Sequence, residues 1–125
     1  MAKGYLANRE RLNDINALGK ALSKRADFRC EWCQSKEDLR LWDHRPEKPP
    51  CTETIALLCR KCRAWATGIR PEPNELHSIR NALWSDVPAV AEGAARVMAR
   101  CKEPWVREAI EESCLDDAVK TEILQ

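Results

Sequence analysis

Two Cys-x-x-Cys pairs are the residues whose types and spacing point most directly to chemistry. Cys30-Glu31-Trp32-Cys33 and Cys59-Arg60-Lys61-Cys62 are separated by 25 residues. Each pair can direct two thiolates at one metal through a tight turn, and four soft ligands in tetrahedral geometry select zinc. The sequence therefore predicts one structural zinc. Its ligands are expected to be Cys30, Cys33, Cys59 and Cys62, which fill the coordination sphere and leave no position for catalysis.

The chain has seven cysteines, so the pairs and the remaining thiols have other interpretations. A redox Cys-x-x-Cys should open a long helix in a βαβ unit, and neither pair is expected to do so. Cys51 is an alternative metal ligand, but it has no nearby partner and is interpreted as a spare thiol. Cys101 and Cys114 fall on predicted helix faces, where they are expected to be buried apolar residues.

Asp43-His44 follows a short predicted strand and resembles the Asp-His pair of HNH nucleases. In that family the histidine acts as a general base while later His or Asn residues help to hold a catalytic metal. The segment 63–67 after Cys62 supplies no His, Asn or carboxylate. A nuclease or other hydrolase using Asp43 and His44 is therefore the alternative hypothesis, and His44 is favoured as a polar residue that closes a loop.

The elements that must position these residues are short strands between helices. Leu12, Ile15, Leu18 and Leu22 recur at helical spacing and predict a helix within 11–28. Residues 39–42 and 55–58 favour strands, with a Pro-rich loop at 45–50. We predict a small α+β fold: an N-terminal helical arm (1–28), a zinc ribbon of two knuckles with short strands (29–68), and a helical region (69–125) packed on it as one compact domain.

The helical region is predicted to contain two to four helices. Leu76, Ile79 and Leu83 share one stripe, and Ser85-Asp86 supplies a cap before a helix carrying Val90, Ala94, Val97, Met98 and Cys101. Pro104 is expected to start another helix, and Asp116 to cap a last one that reaches Leu124. Trp84 is predicted to be buried as the anchor between this region and the ribbon.

Composition and charge exclude some classes of protein function and permit others. The 125 residues include 33% charged residues, and the longest apolar run is far short of the ~18 residues of a membrane span. The N-terminal residues contain no signal-peptide pattern, so we expect a cytoplasmic protein without membrane contact. Residues 1–70 hold 15 Lys and Arg against 9 Asp and Glu, whereas residues 71–125 hold 6 against 11. The basic half permits contact with nucleic acid or an acidic protein surface.

The order of these motifs resembles the N-terminal region of PhnA-type proteins over about residues 20 to 120. The matching pieces are ALSKRADFRCEWCQSKEDLRLW, IALLCRKC, NALWSDVPAV and CLDDA. The resemblance implies a zinc ribbon with Cys30, Cys33, Cys59 and Cys62 as ligands, followed by a helical stretch that contains Trp84-Ser85-Asp86-Val87-Pro88-Ala89-Val90. The family's usual C-terminal β-barrel has no counterpart before Gln125, and Asp43-His44 departs from its pattern.

The resulting functional hypothesis is a non-enzymatic, zinc-stabilised binding module that contacts nucleic acid or a protein partner. Its predicted contact face is basic and consists of Arg29, Arg40, Arg45, Arg60, Lys61 and Arg63. Trp32, Trp42 and Trp65 lie within or beside the knuckles, where a hydrophobic cluster over the zinc is the favoured interpretation. An exposed aromatic surface, with Trp32 and Trp65 stacking on bases, is the alternative.

Overall fold

The computed structural model describes residues 2–125, with side chains described from residue 9 onward. Over these residues the chain forms six α-helices, one 3₁₀ helix and a two-stranded sheet, the small α+β fold that the sequence predicts. The elements follow in the order α1 (Ala2–Arg25), β1 (Arg40–Asp43), β2 (Ile55–Leu58), α2 (Arg60–Ala66), α3 (Pro73–Leu76), the 3₁₀ helix (His77–Trp84), α4 (Pro88–Arg100), α5 (Pro104–Glu112) and α6 (Asp117–Leu124).

The sheet is an antiparallel pair that is covered on both faces. Arg40 lies opposite Leu58 and Asp43 opposite Ile55. All four residues of β2 are buried. Because side chains alternate along a strand, Ala56 and Leu58 join the main core while the opposite face of β2 is covered by α1. The sheet is therefore the layer that joins the N-terminal helix to the rest of the molecule.

The first helix differs from its prediction at both ends. It begins at Ala2, before the predicted 11–28 segment, and ends at Arg25. Asp27 and Phe28 have positive φ values of 54° and 55°, which a right-handed helix excludes. Leu22 is buried, whereas Leu12 is 52% exposed. Only part of the predicted apolar stripe is therefore covered.

Helix α2 starts directly after Cys59 and was not predicted. Seven residues are too few to show a clear helical periodicity, and only Cys62 and Trp65 are buried. Gly68 follows the helix with φ of +125°, a conformation that side chains with a Cβ rarely adopt. A redox Cys-x-x-Cys would open a long helix, so the shortness of α2 argues against a redox role for Cys59 and Cys62.

Helix α4 is the centre of the helical region. It contacts β2, α2, the 3₁₀ helix, α5 and α6. Pro88 occupies the first turn, as predicted, but the N-cap residue is Val87 and not Ser85 or Asp86. The Ser85 hydroxyl instead accepts a hydrogen bond from the Val87 amide at 3.1 Å, one residue before the helix. Asp116 is the N-cap of α6, but its side chain accepts no capping hydrogen bond.

The predicted role of Trp84 is wrong. Its side chain is 37% exposed, and the Arg80 guanidinium lies 5.4 Å from the centroid of its ring. The predicted stripe of Leu76, Ile79 and Leu83 is fully buried, so Leu83, the residue before Trp84, points into the core. Two neighbouring positions on a 3₁₀ helix face different directions, and Trp84 falls on the outer one.

One core joins the ribbon to the helices. Trp32, Leu58 and Trp65 of the ribbon belong to the same buried cluster as Leu83 and Met98 of the helical region. At the contact, a Cβ on Gly93 would lie 2.7 Å from Cζ2 of Trp32 and 2.9 Å from Cζ3 of Trp42. Glycine thus lets both indole rings approach α4 closely.

Among the described helices, none combines the length and apolar character needed to cross a bilayer.

Candidate metal centre and basic surface

The four predicted zinc ligands lie together. The Sγ atoms of Cys30, Cys33, Cys59 and Cys62 are all within 4.8 Å of one another, and those of Cys33 and Cys59 are 3.6 Å apart. A tetrahedral zinc with bonds of about 2.3 Å requires sulfurs about 3.8 Å apart. Three of the cysteines are buried and Cys33 is half-buried. The donor set and its spacing therefore fit one zinc ion.

Local backbone structure brings the two pairs together. Cys30 and Cys33 occupy a tight turn after α1, in which the Cys30 amide donates to the Ser35 carbonyl at 2.7 Å and the Gln34 amide to the Cys30 carbonyl at 2.9 Å. Gln34 has a φ of 69°, which lets the chain reverse there. Cys59 follows β2, and Cys62 lies in the first turn of α2.

The thiols perturb each other's protonation. Hydrogen bonds from the Cys33 and Cys62 thiols lower the pKa of Cys30. The contact with Cys30 raises the pKa of Cys33 and of Cys62, and burial raises both further. Without a cation Cys30 therefore releases its proton readily, whereas Cys33 and Cys62 retain theirs. A bound zinc would supply the charge that four thiolates need, and its binding would release protons.

Glu31, between the first two cysteines, fixes the knuckle to the sheet. Its Oε1 accepts hydrogen bonds from the Leu57 amide at 2.9 Å and from Arg25 at 2.7 Å, and its own amide donates to the Leu57 carbonyl. Arg25 also donates to the carbonyls of Thr52 and Ile55. Sequence reasoning missed this network, because its only signals in the sequence are an acidic residue inside a knuckle and a basic residue at the end of a helix.

The other three cysteines lie outside the cluster. Cys51 is exposed and contacts Thr54, so the structure places it with the loop and not with the metal ligands. Cys101 is half-buried, and its thiol lies 3.6 Å from the Val97 carbonyl. The prediction that Cys114 is buried is wrong: it is exposed, because it follows the end of α5 at Glu112 and has left the face that packs on α4.

Asp43 is the last residue of β1 and His44 follows it, and their side chains lie in different surroundings. Arg11 of α1 donates to Asp43 Oδ2 from Nε at 3.0 Å and from Nη2 at 2.5 Å. The His44 side chain is 5% exposed, and its Nε2 lies 3.6 Å from Oε1 of Glu92. Burial, reinforced by the charge of Arg45, lowers the pKa of His44. The imidazole is therefore mainly neutral at pH 7, packed beside the Trp42 ring.

The tryptophans of the ribbon form an internal cluster. Trp32 and Trp65 are 2% and 5% exposed, so the alternative in which their rings form an exposed stacking surface is wrong. Trp32 and Trp42 meet edge to face with centroids 5.3 Å apart, and Trp42 remains half-buried. Trp32 and Trp42 also pack against α4 at Gly93, which has no Cβ to displace them.

Some side chains of the predicted basic face are held by internal hydrogen bonds, whereas others are exposed or have no carboxylate partner. Arg63 donates to Asp38 at 2.8 Å and to the Leu58 carbonyl at 2.9 Å, and Arg45 donates to Glu92 at 2.9 Å. Lys61 pairs with Glu75 and Arg40 with Asp38, but the side chains of Lys61 and Arg40 are 71% and 72% exposed. Among side chains described from residue 9 onward, Arg29 and Arg60 have no carboxylate within 4.0 Å.

The arrangement as a whole is a metal-binding module. Four thiols converge on one point, two strands and a short helix hold them, and a common core attaches them to the helical region. Four thiolates would complete a tetrahedral shell, so the chemistry that this site supplies is structural. Compared with models of protein families, with curated proteins and with solved structures, the chain has no match.

Proposed function

We propose that this chain is a non-enzymatic, zinc-stabilised binding module similar to the ribbon and helical region of PhnA-type proteins, and that it contacts nucleic acid through its ribbon. The cluster of four Sγ atoms within 4.8 Å is the observation that carries the proposal. A zinc bound there has no open coordination position, so it stabilises the ribbon and leaves binding to the surface around it.

The distribution of charge supports an anionic partner. Arg29 and Arg60 have no carboxylate partner among the described side chains. Arg29 directly precedes Cys30, and Arg60 lies between Cys59 and Cys62. Exposed ion pairs contribute little free energy, so Arg40 and Lys61 can exchange their carboxylate partners for phosphates. These four side chains provide three to four phosphate contacts. Arg45 and Arg63 are held by internal hydrogen bonds and are assigned to the structure.

Fluorescence anisotropy with a labelled oligonucleotide tests the proposal. Duplex DNA should bind weakly and without sequence preference, with a log-log salt slope of roughly −2.7 to −3.6 for three to four contacts at about 0.9 counterions each. The double variant Arg29→Ala, Arg60→Ala should flatten the slope by about 1.8 on the same basis. Arg107→Ala is the matched control, since this arginine pairs with Glu111 on α5, outside the ribbon.

Two results would contradict the proposal in different ways. Absence of binding even at low salt would replace nucleic acid with an acidic protein surface as the partner and leave the zinc assignment in place. Cleavage of DNA or RNA that requires a divalent metal and disappears in His44→Ala would replace the binding module with the nuclease alternative. The burial of the His44 side chain, which is 5% exposed, and the engagement of Asp43 by Arg11 favour the binding module over the nuclease.

A further inference from the structure

A groove of about 710 Å³ lies between the end of β1, the C-terminal half of α4 and α6. It is separate from the cluster of cysteines, none of which lines it. An aromatic ring, a histidine and four cations line its wall: Trp42, His44, Arg45, Arg96, Arg100 and Lys102. This mixture of apolar surface and positive charge is typical of a site for a ligand that has an anionic and an aromatic part.

Positive charge exceeds negative charge in the groove. Arg45 pairs with Glu92 at 2.9 Å and Arg96 with Glu122 at 3.0 Å. Over the described part of the chain, Arg100 and Lys102 have no carboxylate within 4.0 Å. Arg100 donates one hydrogen bond to the Trp65 carbonyl, which orients the guanidinium and leaves other donors available.

His44 is the second, independent sign of a ligand. Its side chain is 95% buried, since 5% is exposed, yet its Nε2 has no hydrogen-bond partner among the described residues. Glu92 Oε1, at 3.6 Å, is beyond hydrogen-bond distance. Buried polar atoms are nearly always paired in folded proteins, so an unpartnered one beside a charged groove indicates that something else completes it.

We propose that this groove binds the phosphate of a nucleotide, with Arg100 and Lys102 on the phosphate oxygens and Trp42 beside the base. Guanidinium groups match phosphate geometry through paired hydrogen bonds, and an indole ring stacks on any base. The site deepens the proposed function and rests on it for the choice of a nucleotide as ligand. A free nucleotide and a strand with a terminal phosphate share this chemistry.

Arg100 is the last residue of α4 and Lys102 lies two residues beyond it, where cations offset the helix dipole. That role alone predicts a loss of stability on substitution and no effect of any ligand. Ligand binding therefore separates the two roles. Lys102→Ala is the cleaner variant, because Lys102 makes no hydrogen bond in the described structure, whereas Arg100→Ala also removes the contact with Trp65.

Calorimetric titration of the zinc-loaded protein with AMP tests the site, with adenosine and inorganic phosphate as comparison probes. AMP should bind more tightly than either, because only AMP has both parts. The single variant Lys102→Ala should weaken AMP binding. The double variant Arg100→Ala, Lys102→Ala should weaken it by about tenfold or more, since hydrogen bonds to charged groups are strong. Arg107→Ala should leave AMP binding unchanged. Thermal unfolding and zinc content establish that each variant is folded.

A spectroscopic measurement reports on the same site. Bound phosphate should raise the pKa of His44, followed by NMR of the imidazole, because a nearby anion favours its charged form. His77, the other histidine, should not respond. The charged groups that act on His44 are Arg45 in the loop after β1 and Glu92 and Arg96 on α4. Arg100, Lys102 and Glu122, from the end of α4 and from α6, line the same groove.

The outcomes distinguish this site from the proposed function. AMP binding that is absent, or that both groove variants leave unchanged, overturns the site. Equal affinity for inorganic phosphate and AMP overturns the nucleotide assignment. If duplex DNA binds and depends on Arg29 and Arg60 while AMP does not bind, the proposed function stands and the groove fails. If AMP binds and duplex DNA does not, the groove stands as a site and the proposed function fails. A strand with a 5′-phosphate that binds more tightly than the same strand without it identifies a strand end as the source.

Discussion

The ribbon and the helical region of this chain are stable for different reasons. The ribbon has two four-residue strands, a size at which a hairpin alone is marginal, and four cysteine sulfurs that converge on one point. The helical region instead packs α4 against its neighbours through Leu83, Val97, Met98 and Ile110, all buried. One region is expected to depend on a metal and the other on apolar packing, although both share a core.

The largest effect is expected from the metal ligands. Replacing any one of the four by serine should release the zinc and cost several kcal/mol of stability, because structural zinc sites contribute about 10–16 kcal/mol in small domains. Native mass spectrometry measures the zinc, and hydrogen exchange should show amides of residues 29–68 losing protection before those of α4. Cys51→Ser, at an exposed thiol, is the control and should retain one zinc. Equal loss of protection in both regions would end the distinction between them.

A neighbouring pair of residues tests the packing of the helical region. Leu83→Ala should cost about 2–5 kcal/mol because it leaves a cavity in the core. Trp84→Ala, at a side chain that is 37% exposed, should cost much less despite removing more atoms. Denaturant unfolding of the two variants measures the difference. A larger loss for Trp84→Ala would restore that tryptophan as the anchor to the ribbon.

The contact between the two regions is tested at a glycine. Gly93→Ala places a methyl group 2.7 Å from Trp32 and 2.9 Å from Trp42, so the rings or α4 must shift, at a cost of about 1–3 kcal/mol for overpacking. Gly19→Ala is the matched control, because its Cβ would lie 3.6 Å from Leu41, an ordinary contact. That variant should gain up to about 1 kcal/mol from helix propensity. Similar results at both glycines in thermal unfolding would mean that the tryptophans do not constrain α4.

The smallest effect is expected from the titration of His44. Burial lowers its pKa in the folded protein, so the unfolded chain takes up a proton at higher pH than the folded chain. The free energy of unfolding should therefore fall as the pH drops below the ordinary histidine value of about 6.5 and continue to fall until the folded pKa is reached. His44→Gln should reduce this dependence. His77→Gln, at an exposed residue, should retain it.

Residue type and spacing predicted the parts of the structure that are set by local chemistry. The four sulfurs, β2, and the stripe of Leu76, Ile79 and Leu83 follow from ligand spacing and periodicity. The predictions that failed required direction in three dimensions. Trp84 is large and apolar, yet the 3₁₀ geometry turns it outward, and Cys114 lies just past the end of α5. Periodicity cannot locate such ends within one or two residues.

The side-chain network around the basic residues was also beyond sequence reasoning. Arg45 and Arg63 look like surface cations in the sequence, but their partners Glu92 and Asp38 are 47 and 25 residues away. Such pairs depend on the packing of separate elements. The groove beside His44 has the same origin, since its lining comes from the end of β1, α4 and α6. Charge counts alone therefore overestimated the exposed basic face of the ribbon and gave no sign of the groove.

The contact of Glu31 with Arg25 makes zinc occupancy and the position of α1 thermodynamically linked. Glu31 lies between two ligands, and Arg25 ends α1 and donates to the chain that enters β2. If the knuckle is ordered by the ion, the carboxylate is held where α1 can use it, and α1 in turn favours the ordered knuckle. Linkage is reciprocal, so any partner that stabilises docked α1 must raise the affinity for zinc by the same factor.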